Sequence, residues 1–566
     1  MSAGMQNAAE RRRRSDRRFF GRCLATVLAL QSFPYLALWA LAPAGSTYTG
    51  ALFSPVDTYR YYDVMLHAQH GAWAFVNYFT YVQHPSIAIF TIYTLLGRLI
   101  PTAADPLSLA LAFHLARLGL DLLFVQQAWK LFGEALPSRA SRRTAMVFLL
   151  FTSGLGVFVI TLNLAGLHAI SQSQPWDLFY QESSSAFGML ASPHFAAVLV
   201  LLTVFSRALL RVFWGQGKGW AATAVGALCA GALATIHTEK VGVIAAMSVA
   251  CLGWTLWFRW TSPGVAARQA LQVGLMIAAS VPYLVYAYGL TLNDPTIRDI
   301  LRQATPQAPP DPVLYYALGL GIPALCAAWG LPRLVRHPSR ARPGEVLLWS
   351  LALGGLLVLV LPWQTIQHRG EGLQIAVAAL AGQELVHSLL PPLWREAGFR
   401  AIAARRVGGY GRRRLRLLSI NLVLILSSTS VIALTIGGTR AGLAISEQIY
   451  LNRDDPAALA WLRDHSSSQD VVVAAPDSLP FIAAYSGTRA VWGDFAYTPD
   501  YDAEGARLAA FLTGTAPAQA YLASRHVTWV YFGPREKEHP GLNPGSREFL
   551  SAAHRTGETV IYRVVG

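Results

Sequence analysis

The residues best suited to chemistry lie between positions 54 and 85, directly after the first long apolar run. Two carboxylates, Asp57 and Asp63, stand there among tyrosines, a tryptophan and three histidines. A carboxylate that is partly desolvated beside aromatic rings has a raised pKa and can act as a general base. The stretch therefore indicates a sugar-binding platform with an aspartate base. Its expected substrate contacts are Tyr61, Trp73 and His84. A solvated loop with aromatic anchors at a membrane interface is an equally open interpretation.

A second polar segment, residues 166–193, carries a further candidate acid. Glu182 follows the aromatic stretch 176–180, and we expect it either to serve catalysis or substrate binding or to be an exposed loop acid. His194 stands where the next apolar run begins, so it contacts either the substrate or lipid headgroups.

Two basic residues stand out because they fall in turns that carry little other positive charge. Lys240 lies in a charged turn between two apolar runs, and Arg369 lies in another such turn. A guanidinium at headgroup level is well shaped to bind a phosphate with two hydrogen bonds. The alternatives are a local Glu239–Lys240 pair or snorkelling of the lysine, and a local pair of Arg369 with Glu371.

The composition excludes a soluble enzyme, a disordered chain and a coiled coil. Of the 566 residues, 53% are hydrophobic and only 14% are charged, against about 25% charged in soluble domains. The net charge is +15, but residues 446–566 carry a net −4, so the whole excess lies in the apolar part. This distribution argues against a nucleic-acid-binding domain and favours membrane topology as the origin of the charge. The four cysteines lie in or beside apolar runs without metal-ligand spacing, so we expect no zinc site or disulfide framework.

About eleven apolar runs reach the length of about 20 residues that spans a bilayer. They are predicted at 19–42, 106–130, 144–165, 194–213, 219–237, 241–258, 269–291, 313–331, 344–362, 372–391 and 415–436. The run 19–42 also resembles a signal peptide, but its length and its polar interruptions favour a retained first span. The segment 87–100 is short for a span, and we expect it to be a helix at the outer face.

This assignment places 28 of the 36 basic residues before position 446 on one side of the membrane. The positive-inside rule then predicts a cytoplasmic N-terminus and a C-terminal domain outside. The predicted regions are a basic N-terminus at 1–18, a membrane domain at 19–436 with outer loops 43–85 and 166–193, and an outer soluble domain at 437–566. In that last region a helix at 455–462 and strands at 470–476, 527–532 and 559–564 indicate a small α/β domain.

This layout resembles the polytopic glycosyltransferases of the GT-C superfamily, such as protein O-mannosyltransferases and aminoarabinose transferases. The similarity rests on one span after a basic N-terminus, an outer loop with Asp57 and Asp63, and His84-Pro85 before a short apolar segment. Here the two acids are six residues apart, whereas the mannosyltransferases have an adjacent pair. The stretches 484–489 and 492–494 also look like the tail domain of uncharacterised bacterial members, although they indicate no chemistry.

The resemblance implies an enzyme of a bacterial plasma membrane that uses a polyprenyl-phosphate-linked sugar as donor. Asp57 would deprotonate the hydroxyl of an extracytoplasmic glycan, lipid or protein acceptor, which attacks the anomeric carbon with inversion. Arg369 and Lys240 would stabilise the leaving phosphate, assisted by His84 or His194. No cofactor is implied, and a divalent metal stays open.

Three other functions are compatible with the sequence. A transporter or lipid flippase would use polar residues at mid-membrane depth, of which His114, Arg117 and Asp121 on one helical face are the main example. A ligase or polymerase of the O-antigen type would use a diphosphate-linked donor. A non-catalytic relative would bind envelope glycans through its C-terminal domain.

Overall fold

The computed structural model describes residues 3–100, 105–166, 175–215, 219–259, 262–303, 312–360, 370–405, 411–539, 544 and 547–565. Up to residue 303 the helices are Ala3–Ala40, Pro55–Gln69, Thr91–Leu99, Pro106–Ala135, Arg139–Phe151, Gly156–Leu164, Trp176–Phe179, Ser185–Ala191, Pro193–Trp214, Gly219–Ile236, Lys240–Arg259, Pro263–Ala278, Val281–Asn293 and Pro295–Gln303. The later helices are Pro312–Ala328, Leu331–Arg336, Pro343–Val360, Leu373–Glu384, Leu390–Arg395, Ala397–Arg405, Arg412–Ser427, Thr429–Ala444, Ser446–Ile449, Asp455–His465, Leu479–Ser486, Tyr501–Leu512 and Ala518–Ser524.

The apolar helices make the chain a polytopic α-helical membrane protein, which confirms the predicted class. Six described helices are long and apolar enough to cross a bilayer, and nine spans result if three pairs bent by 42–48° each count as one. Two shorter apolar helices, Tyr315–Ala328 and Pro343–Leu359, accompany them. Each of the eleven predicted runs overlaps one of these helices or bent pairs. Within 87–100 the helix Thr91–Leu99 is only nine residues, or about 13 Å, long.

Contacts divide the chain into two compact units. The first, here called the helical unit, comprises Met1–Phe33, Arg117–Leu284 and Gln307–Gly437. The second, here called the mixed unit, comprises Pro34–Ala116, Val285–Pro306 and Gly438–Gly566. The mixed unit therefore joins the first polar segment to the C-terminal region, partly through a small antiparallel pairing of Thr47 with Leu451.

Interrupted helices in the helical unit satisfy one another's backbone groups. The Ser153 amide donates to the Ser427 carbonyl at 3.2 Å, and the Leu155 amide donates to the Leu318 carbonyl at 2.8 Å. These partners matter because a break in a spanning helix frees backbone groups that lipid cannot hydrogen-bond.

The C-terminal α/β domain contains a five-stranded mixed sheet. In spatial order its strands are Arg489–Ala490, Val471–Val473, Val527–Phe532, Thr559–Val564 and Leu550–Thr556. The first three are parallel, and the last two run antiparallel to their neighbours. The three predicted strands are confirmed, whereas the two outer strands were not predicted.

Close backbone packing in the mixed unit gives a first testable result. A Cβ atom on Gly97, in the helix Thr91–Leu99, would overlap the backbone of Met65 in the helix Pro55–Gln69. Because backbone cannot move aside like a side chain, we expect Gly97→Ala to lower the free energy of unfolding by about 1–3 kcal/mol.

Thermal unfolding of the purified protein in detergent measures this effect. The matched control is Gly274→Ala, since no atom lies within 4 Å of the added Cβ in the helix Pro263–Ala278. Equal unfolding midpoints for the two variants would contradict the packing argument.

Candidate active site

The two first-segment carboxylates lie on one helix, Pro55–Gln69, in a region that the sequence suggested to be a loop. Pro55 begins the helix, where its missing N–H leaves no hydrogen bond unmade, and Asp57 lies in the first turn, where a negative charge is favourable. Six residues advance a helix by about 600°, so Asp57 and Asp63 point to different sides. They consequently have different surroundings and are not an adjacent acidic pair.

Asp57 is held by Arg60, one helical turn further along. Arg60 Nη2 donates to Asp57 Oδ1 at 2.5 Å, and Arg60 Nε donates to Asp494 Oδ2 at 2.7 Å. The guanidinium is buried, whereas the side chain of Asp57 is 38% exposed. Burial alone would lower the pKa of Arg60, but the two carboxylates outweigh it and raise that pKa. Arg60 is therefore a fixed cation that contacts one partly open and one fully buried carboxylate.

Asp63 has no solvent exposure and lies in a separate cluster. His67 Nε2 is 3.1 Å from Asp63 Oδ1, and the His67 ring stacks on Tyr78 at 3.9 Å. Burial raises the pKa of Asp63, and the nearby His67, Arg489 and Arg60 charges only partly oppose this. An acceptor hydroxyl cannot approach Asp63 as it can approach Asp57.

The three predicted substrate contacts of this segment have different surroundings. Tyr61 is buried and stacks on Tyr93 with ring centroids 4.1 Å apart, so it belongs to the aromatic core. Trp73 is 70% exposed, with the Arg98 guanidinium 4.3 Å above its ring. Such an open aromatic face can stack on a sugar.

His84 is occupied by the backbone around it. Its Nε2 accepts from the Asn77 amide at 2.9 Å, so its Nδ1 carries the proton and lies 2.8 Å from the Pro85 carbonyl oxygen. Burial lowers the pKa of His84, which favours this neutral form. The ring therefore stabilises the backbone of the segment 77–85, and it has no hydrogen-bond donor left for a phosphate.

In the helical unit, His194 and Lys240 belong to one buried cluster. The His194 ring is 5.1 Å from the His237 ring, and His237 Nδ1 is 2.7 Å from Glu371 Oε2. Lys240 Nζ is 3.8 Å from the same oxygen, and its side chain has no solvent exposure. The lysine thus has an ionic partner in Glu371, which the sequence did not suggest.

Two predicted candidates remain, Glu182 and Arg369. Glu182 is buried in the short turn Gln181–Ser183. Arg369 lies in the segment 361–369, outside the described residues. Among the described residues, no three His, Cys, Asp or Glu side chains are grouped so that they could hold a metal ion.

Sequence reasoning missed four residues of these clusters: Arg60, Asp494, Arg489 and His237. The i, i+3 spacing of Asp57 and Arg60 was a usable signal once Pro55 is read as a helix start. The other contacts join segments far apart in the chain, which spacing alone does not show.

The chain was compared with known proteins by sequence and by structure. No protein-family model matches the chain, and no curated protein matches it by sequence. The oligosaccharyltransferase of Archaeoglobus fulgidus in its apo form is 12% identical, with a TM-score of 0.54 over 91% of this chain and 69% of that one. The oligosaccharyltransferase AglB from the same archaeon, in complex with an inhibitory peptide and a dolichol-phosphate, is 13% identical, with a TM-score of 0.51 over 90% of this chain and 69% of that one.

A third solved structure, ArnT from Cupriavidus metallidurans bound to undecaprenyl phosphate, is 13% identical with a TM-score of 0.48, covering 96% of this chain and 97% of that one. The chain therefore shares its fold with the archaeal oligosaccharyltransferase, which is the kind of fold that the sequence resemblance implies. At these identities the likeness concerns the fold, and the chemistry must be argued from the residues themselves.

Proposed function

We propose that this protein transfers a sugar from a polyprenyl-phosphate donor to a hydroxyl of an extracytoplasmic acceptor, with Asp57 as the general base. The observation that carries the proposal is the partly exposed Asp57 carboxylate, fixed by Arg60 at the start of a buried helix, in a chain of this fold. The dolichol-phosphate in the AglB complex supports a lipid phosphate as the donor's carrier. The specific sugar and acceptor are left open.

The choice of Asp57 over Asp63 follows from access. A general base must come within about 2.6–3.2 Å of the proton that it removes. The side chain of Asp57 is 38% exposed, whereas that of Asp63 is fully buried against His67. Asp63 thereby becomes a residue that supports the helix and its neighbours, and Glu182, also buried, is kept as a secondary candidate.

The proposed reaction is a single displacement. The acceptor O–H bond breaks as Asp57 takes the proton, the acceptor oxygen bonds to the anomeric carbon, and the bond from that carbon to the phosphate oxygen breaks. The configuration at that carbon inverts because attack and departure occur on opposite faces. Negative charge develops on the leaving lipid phosphate, so fixed cations lower the barrier.

We assign the cation role to Lys240 and Arg369, with His194 assisting. Lys240 already contacts Glu371, so in this proposal a phosphate oxygen competes with that carboxylate for the ammonium group. Trp73 is assigned to stacking on a sugar. The family resemblance implies a bacterial plasma membrane as the location, and the positive-inside rule predicts that the N-terminus lies in the cytoplasm.

A transfer assay tests the function as a whole. Membranes that contain the full chain are supplied with radiolabelled sugars on undecaprenyl phosphate, and label is measured in the lipid, glycan and protein fractions. We expect label to be transferred from at least one monophosphate donor to an acceptor. When the same sugar is supplied on undecaprenyl diphosphate, the label should remain on the donor. Transfer only from the diphosphate would favour the ligase or polymerase alternative. Lipid flipping in liposomes without any transfer would favour the flippase.

A further inference from the structure

A sequence stretch with no assigned chemistry, residues 484–494, brings its charged residues to the helix that carries Asp57. Asp494, the last residue of the stretch, has no solvent exposure, and Arg60 Nε donates to its Oδ2 at 2.7 Å. Its other oxygen, Oδ1, accepts from the Ala496 amide at 2.8 Å. Both oxygens of the buried carboxylate are thus engaged, one by the guanidinium and the other by a backbone amide.

The same guanidinium also holds Asp57. Nη2 of Arg60 is 2.5 Å from Asp57 Oδ1, and the Tyr497 ring lies 4.2 Å from the centre of the guanidinium. The side chain of Arg60 is 6% exposed. On a surface helix an arginine three residues from an aspartate samples many rotamers, whereas here the buried partner and the ring fix a single one.

The segment that supplies Asp494 is itself firmly attached within the mixed unit. Thr498 Oγ1 donates to the Phe79 carbonyl at 2.8 Å, and Asn77 Nδ2 donates to the Tyr497 carbonyl at 2.7 Å. Gln303 Nε2 donates to the Thr498 carbonyl at 2.8 Å. Three different parts of the chain therefore hold the position of the Asp494 carboxylate.

From this geometry we infer that Arg60 and Asp494 are positioning residues for Asp57: Asp494 fixes the Arg60 guanidinium, which holds Oδ1 of Asp57 and leaves Oδ2 for the acceptor hydroxyl. The inference rests on the proposed function of Asp57. It gives the C-terminal α/β domain a part in the reaction, because that domain supplies Asp494.

One cation is shared between two carboxylates. Arg60 contacts both Asp57 and Asp494, and the hydrogen bond from its Nη2 orients the Asp57 carboxylate. Other ionisable groups also face this cluster: Tyr61, Tyr497 and Asp63 interact with Arg60, and Tyr501 interacts with Asp494.

Steady-state kinetics of the full chain in detergent test the inference. We expect Asp494→Asn to lower kcat roughly 10- to 100-fold, as loss of alignment does, while KM for the acceptor changes less than about twofold. Arg60→Ala should lose at least as much activity, and added guanidinium ion should restore part of it. Guanidinium should restore nothing in Arg60→Ala/Asp57→Asn. The matched control is Asp502→Asn, an exposed acid of the same domain, with wild-type kinetics expected.

The outcomes separate the inference from the function on which it rests. If Asp57→Asn abolishes transfer while folded Asp494→Asn and Arg60→Ala keep wild-type kcat, the positioning role is wrong and the base assignment stands. If Asp57→Asn transfers at the wild-type rate, the base assignment itself is wrong. Unfolding midpoints are measured for every variant, and activity that falls only in proportion to the folded fraction, with no response to guanidinium, would overturn the positioning role.

Discussion

Asp57→Asn is expected to lower the rate of sugar transfer by roughly 10²–10⁴-fold, the range measured when a general base is removed. The amide oxygen of asparagine can still accept the hydrogen bond that Arg60 Nη2 donates to Asp57 Oδ1. The helix Pro55–Gln69 and its surroundings should therefore be unchanged, and only the capacity to take a proton is lost. Initial rates with labelled donor in membranes of matched protein content measure the effect.

Two comparisons make that result specific. Asp63→Asn should keep most of the activity, because burial raises the pKa of Asp63 and a neutral amide is tolerated at such a position. Asp464→Asn, at a carboxylate that is 63% exposed in the C-terminal domain, should transfer at the wild-type rate. Equal rates for Asp57→Asn and Asp464→Asn would exclude Asp57 as the base.

The membrane helices could be predicted from the sequence because their signal is local. A run of about 20 apolar residues is visible in one dimension, and each predicted run overlaps a described helix or bent pair. The breaks inside three of these runs were less visible, since they depend on which backbone groups find partners on neighbouring helices. The strand Leu550–Thr556 was missed because it is an outer strand of small and polar residues without apolar alternation.

The candidate site could be predicted only in part, because its decisive contacts are long-range. Asp57 was selected as a candidate from its own neighbourhood, but Arg60 and Asp494 are 434 residues apart in the chain. For Lys240, the sequence suggested a pair with the adjacent Glu239 or snorkelling, and the structure adds Glu371, 131 residues further along, at 3.8 Å. Residue type and spacing therefore identified which side chains could react. Only the fold showed which other side chains contact and position them.

A buried ion pair in the second apolar helix connects neighbouring helices of the helical unit. Arg117 is 3.6 Å from Asp121, and both side chains are almost fully buried. Arg117 Nη1 also donates to the Met189 carbonyl and Nη2 to the Gln31 carbonyl, each at 2.9 Å. These contacts connect three helices, so we interpret the ion pair as structural. They give no support to the transport alternative.

Arg117→Leu is accordingly expected to lower the free energy of unfolding by about 3–5 kcal/mol, because it leaves the Asp121 carboxylate buried without its cation. The double variant Arg117→Leu/Asp121→Asn should be less destabilised than Arg117→Leu, since no unpaired charge is left, although two carbonyls still lose their donors. Unfolding of the purified proteins in mixed micelles, followed by circular dichroism, measures the differences. If the double variant is as unstable as Arg117→Leu, the cost comes from lost packing and backbone hydrogen bonds, and the ion pair contributes little by its charge.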